Sequence, residues 1–266
     1  MILKRISSMR ITLIGAGRVA HHLAMALSAH HEIVQIFSRS LTKAQALAQN
    51  VQAQAVNDLS LLECNIDLVI IAISDSAIAA TIETVHAYMP DVLCVHTSGS
   101  TDMAVLNQHH ARCGVFYPLQ TFSFESHIAW HNTPLLIEAA HRDDQQTLLK
   151  LAQSLSERVY VYESSQRLSL HLAAVFACNF SNYCYDLAKQ VVDARGVDFA
   201  LLAPLMLETA HKATQHEPHT VQTGPARRHD VGILNMHQAL LAQLQQTDSA
   251  QVYRLFSELI QQRHPQ

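Results

Sequence analysis

Arg10-Ile11-Thr12-Leu13-Ile14-Gly15-Ala16-Gly17-Arg18-Val19-Ala20 decides the fold. A short apolar run reads as a buried strand, and a glycine pair then turns it into a helix. Gly15 permits the tight turn, and Gly17 removes the side chain where backbone must approach a pyrophosphate. Ala20 keeps the helix close to the sheet. Val19, Leu23 and Leu27 follow at i, i+4 and i+8, a stripe able to lie on that sheet. The helix N-terminus, at Ala16, Gly17 and Arg18, presents free N–H groups and a positive dipole end to phosphate. The competing reading is a tight turn with no ligand. A strand before, a helix after and a second strand at the right distance favour the dinucleotide.

That second strand covers 33–37 and leads into Ser38-Arg39-Ser40. A carboxylate there, about 20 residues after the glycines, binds the ribose hydroxyl of NAD, whereas arginine accommodates the 2'-phosphate of NADP. No carboxylate appears, and Lys43 follows Arg39 by one helical turn. Two cations and two hydroxyls suit a phosphate with several acceptor oxygens, so the expected cofactor is NADP(H). The alternative is a solvated helix start capped by Ser40 or Thr42.

Strands and helices then alternate. A helix is expected over 41–49, a strand over 53–56, and a strand apolar on both faces over 68–73. Ser74-Asp75-Ser76 reads as a cap for the helix over 77–88 and, at Ser74, as a contact to the cofactor's edge. A strand over 92–95 ends in His96-Thr97-Ser98-Gly99-Ser100. In a parallel sheet the carboxyl ends hold the ligand, which puts Thr97 and Ser98 near the nicotinamide; the alternative is an ordinary turn. Strands over 114–116, 134–139 and 158–162 and a helix over 144–155 extend the sheet. The expected fold is α/β, a Rossmann doubly wound, mainly parallel sheet over 1–163, with an all-helical domain over 164–266.

In the second domain long helices are expected over 166–194, 199–216, 234–246 and 249–262. Leu172-Ala173-Ala174-Val175-Phe176-Ala177-Cys178 is apolar all round and should be buried in the protein's middle. Set into that helix are His171, Asn179, Asn182 and Asp186, the last three at i, i+3 and i+7. They either bond to neighbouring helices or line a cleft that binds substrate or the nicotinamide amide. Gln222-Thr223-Gly224-Pro225-Ala226-Arg227-Arg228-His229-Asp230 places two arginines after a fixed turn. Arg227 and Arg228 suit a carboxylate or phosphate on a substrate; otherwise they are surface arginines beside a capping Asp230.

Composition narrows the partners. With 266 residues, 49% of them hydrophobic, there is ample material for one large domain or two modest ones. Lys and Arg number 18 against 22 Asp and Glu, so no basic stripe invites nucleic acid. No apolar run is long enough to cross a bilayer. Met1-Ile2-Leu3-Lys4-Arg5-Ile6-Ser7-Ser8 lacks a signal peptide's apolar core and reads as an upstream start or a loose tail. Five scattered cysteines without a C-x-x-C fit reduced, mostly buried thiols, and the expected compartment is the cytoplasm. The 18 histidines form neither H-E-x-x-H nor a cysteine–histidine zinc pattern, so no metal site is expected.

G-A-G-R-V-A, H-T-S-G-S, F-Y-P-L-Q-T-F, H-L-A-A-V-F-A-C-N-F and T-G-P-A-R-R-H-D, in this order, resemble a little-characterised bacterial family. It pairs a Rossmann-like NADP-binding domain with a C-terminal helical domain of unknown function numbered 2520. The resemblance covers nearly the whole chain after Arg10. It implies an NADP oxidoreductase related in fold to pyrroline-5-carboxylate reductase, 6-phosphogluconate dehydrogenase and F420-dependent NADP reductase, and a homodimer with helical domains exchanged or packed across the two-fold. In the hydroxyacid-dehydrogenase relatives a lysine and an asparagine one turn apart act at the substrate. Asn179 matches that asparagine, and Val175 stands where the lysine would be.

The function expected from this reading is hydride transfer between NADP(H) and a small C=O or C=N group bearing an anionic handle. Gly15, Ala16, Gly17, Arg18 and Val19 hold the pyrophosphate, and Ser38, Arg39 and Ser40 the 2'-phosphate. Ser98, Asn179 and His171 orient the reacting group, Asn182 borders it, and Arg227 or Arg228 takes its anion. His171 is of the one residue type that titrates near neutrality. A pyrroline-5-carboxylate reductase-like imine reductase and an NADP-binding sensor or scaffold without turnover are the alternatives.

Overall fold

A computed structural model describes residues 8–265. The reading of residues 1–8 as an upstream start or loose tail falls, except at Ser8, outside the described residues. The chain divides into two compact units, residues 1–175 and 176–266.

The first unit is built on one eight-stranded sheet in the order β3-β2-β1-β4-β5-β6-β7-β8. Its strands are β1 (Arg10–Ile14), β2 (Glu32–Phe37), β3 (Gln54–Val56), β4 (Leu68–Ile71), β5 (Leu93–His96), β6 (Cys113–Pro118), β7 (Leu135–Ala139) and β8 (Val159–Val161). Every neighbouring pair is parallel except β6 with β7. The expected strands are all present, and the sheet is doubly wound. Helices α1 (Arg18–Leu27), α2 (Leu41–Val51), α3 (Ile78–Tyr88), α4 (Ala104–Asn107) and α5 (Arg142–Leu155) connect them. Residues 119–134 carry no α-helix, and an antiparallel partner needs no helical crossover, which is why β7 reverses direction.

Period-two alternation distributes β4 between two cores. Leu68 and Ile70 join Leu23, Leu27 and Leu148 on one face, while Val69 and Ile71 join Ile78, Ile82 and Val85 on the other. Because both faces are covered, β4 and β5 are fully buried, as an inner parallel strand must be.

At the end of β1 the chain turns on Gly15. Its φ is +126°, and an added Cβ would lie 2.1 Å from the Ala72 carbonyl oxygen. The Gly15 N–H donates to Phe37 O at 2.8 Å, so the same residue joins β1 to the ends of β2 and β4. Ser74 makes no side-chain cap bond: a 3-10 turn over Asp75–Ala77 comes first and α3 starts after it. The thiols also differ from expectation, since only Cys94 and Cys113 are buried.

Beyond β8 the regular structure is all helical, and the first unit ends within it, at Val175. The helix expected over 166–194 is α6 (Ser164–Ala174), a π-helical stretch (Val175–Phe180) and α7 (Ser181–Asp193) in succession. After these come α8 (Ala203–Gln215), α9 (Val231–Gln243) and α10 (Thr247–Arg263). The expected burial of the apolar stretch is not met, because Leu172 is 56% and Phe176 61% exposed. A helix apolar all round needs cover on every side, and a single chain does not supply it.

Replacing Gly15 by alanine adds a methyl group where backbone already stands and forces a positive φ on an L side chain. The expected loss is roughly 3 kcal/mol, read as a lower urea midpoint.

Candidate functional site

The turns at the carboxyl ends of β1, β2, β4, β5 and β6 enclose a cavity of about 670 Å³, a volume suited to a cofactor. It lies at the switch point, where the chain leaves β1 toward β2 on one side and returns to β4 on the other. Gly15, Ala16, Gly17, Arg18 and Val19 line one wall. A Cβ on Gly17 would meet nothing within 4 Å, so its missing side chain opens toward free space rather than toward packed atoms. Ser38, Arg39 and Lys43 line the β2 end, which together with Arg18 gives three cations. Ser40 stands at the N-cap of α2, with its N–H donating to Ser38 Oγ at 3.3 Å, and does not line the cavity.

Ser74, Thr97, Ser98 and His171 line the opposite end, so the sequence's cofactor contacts and two of its three catalytic candidates come together. Ser98 is already occupied within its loop. Its Oγ accepts the N–H groups of Ser100 at 3.1 Å and Thr101 at 2.9 Å, and the Ser100 hydroxyl donates to the Asp75 carboxylate. The Ser98 N–H donates to Nδ1 of His96 at 3.1 Å. His96 is fully buried, and burial followed by the nearby Arg167 charge pulls it down to about 4 from its ordinary 6.5.

Three residues that sequence reasoning did not single out shape this end. Tyr117, at the end of β6, places its hydroxyl 3.1 Å from Nδ1 of His171. Gly99 lies against both rings, and a Cβ there would stand 2.5 Å from His171 Nδ1 and 2.8 Å from Tyr117 Cζ. Arg167, one turn before His171 on α6, is 1% exposed. It donates to the Glu138 carboxylate, to Thr101 O at 2.5 Å and to Ser164 Oγ at 3.0 Å. A buried guanidinium has to be paired, and these partners tie α6 to β7 and to the loop after β5. The only sequence signals were F-Y-P-L-Q-T-F, H-T-S-G-S and an arginine four residues before a histidine.

Residues 133–260 match the family model described as Domain of unknown function (DUF2520). Residues 1–111 match the model for shikimate / quinate 5-dehydrogenase. A Bacteroides fragilis protein assigned as an NADP oxidoreductase is 40% identical over 96% of this chain and 98% of its own, with a TM-score of 0.90. The chain belongs to the DUF2520 family. An imine reductase from Myxococcus stipitatus in complex with NADP+ shares the fold at 16% identity, covering 96% of this chain and 95% of that one, with a TM-score of 0.69. A pyrroline-5-carboxylate reductase from Coxiella burnetii does so at 14% identity, covering 93% and 98%, with a TM-score of 0.60. No curated protein matches the chain by sequence.

Asn179, Asn182, Arg227 and Arg228 all fall within the DUF2520 match and belong to the second unit. Asn179 lies in the π-helical stretch, and both asparagines are exposed. A π turn is wider than an α turn, so the register that aligned Asn179, Asn182 and Asp186 on one face does not carry across it. Asp186 accepts from Gln190 Nε2 at 2.9 Å. Arg227 and Arg228 are exposed, and Asp230 caps α9 by accepting the Ile233 N–H at 3.1 Å.

His96 sets a pH dependence. Its folded value lies below the ordinary 6.5, so the unfolded chain binds the extra proton first. The stability it contributes is complete above 6.5 and is lost as pH falls toward about 4. A His96→Asn variant, whose amide oxygen can still accept the Ser98 N–H, is expected to lose less stability over that window in urea titrations.

Proposed function

We propose that the chain is an NADP(H)-dependent oxidoreductase that moves a hydride to or from a small C=O or C=N compound with an anionic handle. The observation that carries this reading is the cavity at the switch point, with a glycine turn on one wall and Arg39 and Lys43 at the β2 end. Gly15, Ala16, Gly17, Arg18 and Val19 hold the pyrophosphate. Ser38, Arg39 and Lys43 take the 2'-phosphate, joined by Ser40 at the start of α2. The bound nicotinamide supplies the hydride, and this chain's side chains orient, charge and protonate around it. Ser74 and Thr97 border the cofactor, while Ser98, His171 and Asn179 orient the reacting group. Asn182 borders the substrate, and Arg227 or Arg228 pairs with its anion. Family membership and the 40% identical Bacteroides fragilis protein assigned as an NADP oxidoreductase support the reading.

The working form is a homodimer, with a second copy covering the apolar residues along 164–193. Leu172, Phe176, Phe180 and Tyr183 are all exposed there, far more apolar surface than a lone helix face leaves in water. The cellular setting is cytoplasmic: all five cysteines are unpaired, and among the described residues no helix is long and apolar enough to cross a membrane.

NADPH is expected to raise the melting temperature more than NADH does. Arg39→Ala should weaken NADPH about 10- to 100-fold and leave NADH nearly unchanged. Equal affinity of the variant for NADPH removes Arg39 from the site. Light scattering on the eluted protein should give twice the chain mass, and Phe176→Glu should shift it toward the monomer; a monomeric wild type sinks the dimer.

A further inference from the structure

The end of the cavity away from Arg39 holds a phenol and an imidazole that cofactor binding does not employ. A dinucleotide lies across β1 with one half on each side of the switch point. Arg39 and Lys43 mark the phosphate-bearing half at β2, so the ends of β5 and β6 receive the reacting half. Tyr117 and His171 both line the cavity there, 3.1 Å apart from hydroxyl to Nδ1. Their pairing is built into the chain: Gly99 has no room for a Cβ against either ring, and Arg167 anchors the preceding turn of α6. The rival hydroxyl, Ser98, is engaged by two backbone N–H groups and lies 3.4 Å from the Ser100 hydroxyl, which is bonded to Asp75.

We propose that Tyr117 is the proton donor of the reduction and that His171 is the positioning residue that keeps this proton deliverable. The proposal rests on the NADP(H) reading above. As the C=O or C=N carbon takes the hydride of the reduced nicotinamide, the Tyr117 O–H bond breaks and its proton joins the substrate's heteroatom. An imidazolium at His171 then passes its Nδ1 proton to the phenolate and recovers one from water. One hydride and one proton are added, and the side chains end as they began. A neutral His171 in its Nε2–H tautomer instead accepts a hydrogen bond from the phenol at Nδ1, which turns that proton away from substrate.

The charged groups around the pair are Asp75 from the turn after β4 and Arg167 from α6, the latter bonded to Glu138 of β7. Tyr162, just past β8, packs into the same apolar cluster as Tyr117. Burial pushes the Tyr117 phenol up and Asp75 adds to this, while Arg167 opposes both, so the group stays protonated until it is called on.

Two measurements test the pair. In the ligand-free protein labelled with nitrogen-15 histidine, the His171 signals are assigned by their loss in His171→Gln. Tyr117→Phe should move the His171 Nδ1 signal and leave the other histidines in place; an unmoved signal overturns the contact. Wild type and both variants are then titrated with NADPH by fluorescence and assayed with a panel of small oxo acids and cyclic imines. Tyr117→Phe should bind NADPH normally and lower kcat about 100-fold with little change in KM. The wild-type rate should fall with rising pH as one proton is lost, and that limb should vanish in His171→Gln. Full kcat in Tyr117→Phe, or a persistent limb in His171→Gln, overturns the dyad and leaves the cofactor reading standing. A wild type that binds NADPH but reduces nothing overturns the dyad together with the hydride reading. One that fails to bind NADPH overturns the cofactor reading itself.

Discussion

Gly15 passes so near the Ala72 carbonyl that no side chain fits between them, and the rest of the site follows from that passage. The approach brings the end of β1 against the end of β4 and lets α1 begin at Arg18, so the helix N-terminus faces the crevice instead of the sheet. The bond from the Gly15 N–H to Phe37 O holds the end of β2 in the same plane and carries Arg39 to the rim. One backbone position therefore aligns three strand ends. A parallel sheet with both faces covered leaves only those ends free for a ligand.

A second constraint acts on the far side of the cavity. Arg167 is a charge in the interior, and such a charge is costly unless every nearby acceptor is recruited. Glu138, Thr101 and Ser164 are those acceptors, and they belong to β7, the loop after β5 and the start of α6. Pairing the two terminal nitrogens of one guanidinium thus docks a helix onto two parts of the sheet, and His171 arrives beside Gly99 and Tyr117 as a consequence. On the opposite rim His22 of α1 bonds to Ser123 O at 2.7 Å, which holds the long connection near Phe122 over the glycine turn.

The same backbone plan recurs in an imine reductase and a pyrroline-5-carboxylate reductase at identities too low to carry side-chain roles. Shared architecture explains where a ligand sits; it does not choose the chemistry. That choice lies in the residues lining the β5 and β6 ends, where this chain sets a phenol against an imidazole. The apolar helix points the same way for assembly. Its hydrophobicity is continuous around the helix, while the fold of one chain leaves Leu172 and Phe176 in water.

The sequence by itself determined the elements and their order. The alternation in β4, the Gly15–Gly17 turn and the Arg39 position are set by neighbours in the chain, where propensity and periodicity act. It also carried the glycine wall and the cation end of the cavity, because each sits at a fixed offset from a strand. Only the tertiary structure decided that Tyr117 meets His171 across 54 residues, and that Gly99 is bare so that they can. It alone inserted a π turn at Asn179, undoing a face drawn at 3.6 residues per turn, and left the apolar helix uncovered. The physical reason is range: periodicity records what lies a few residues away. A close approach between separate elements is settled by the packing of the whole unit.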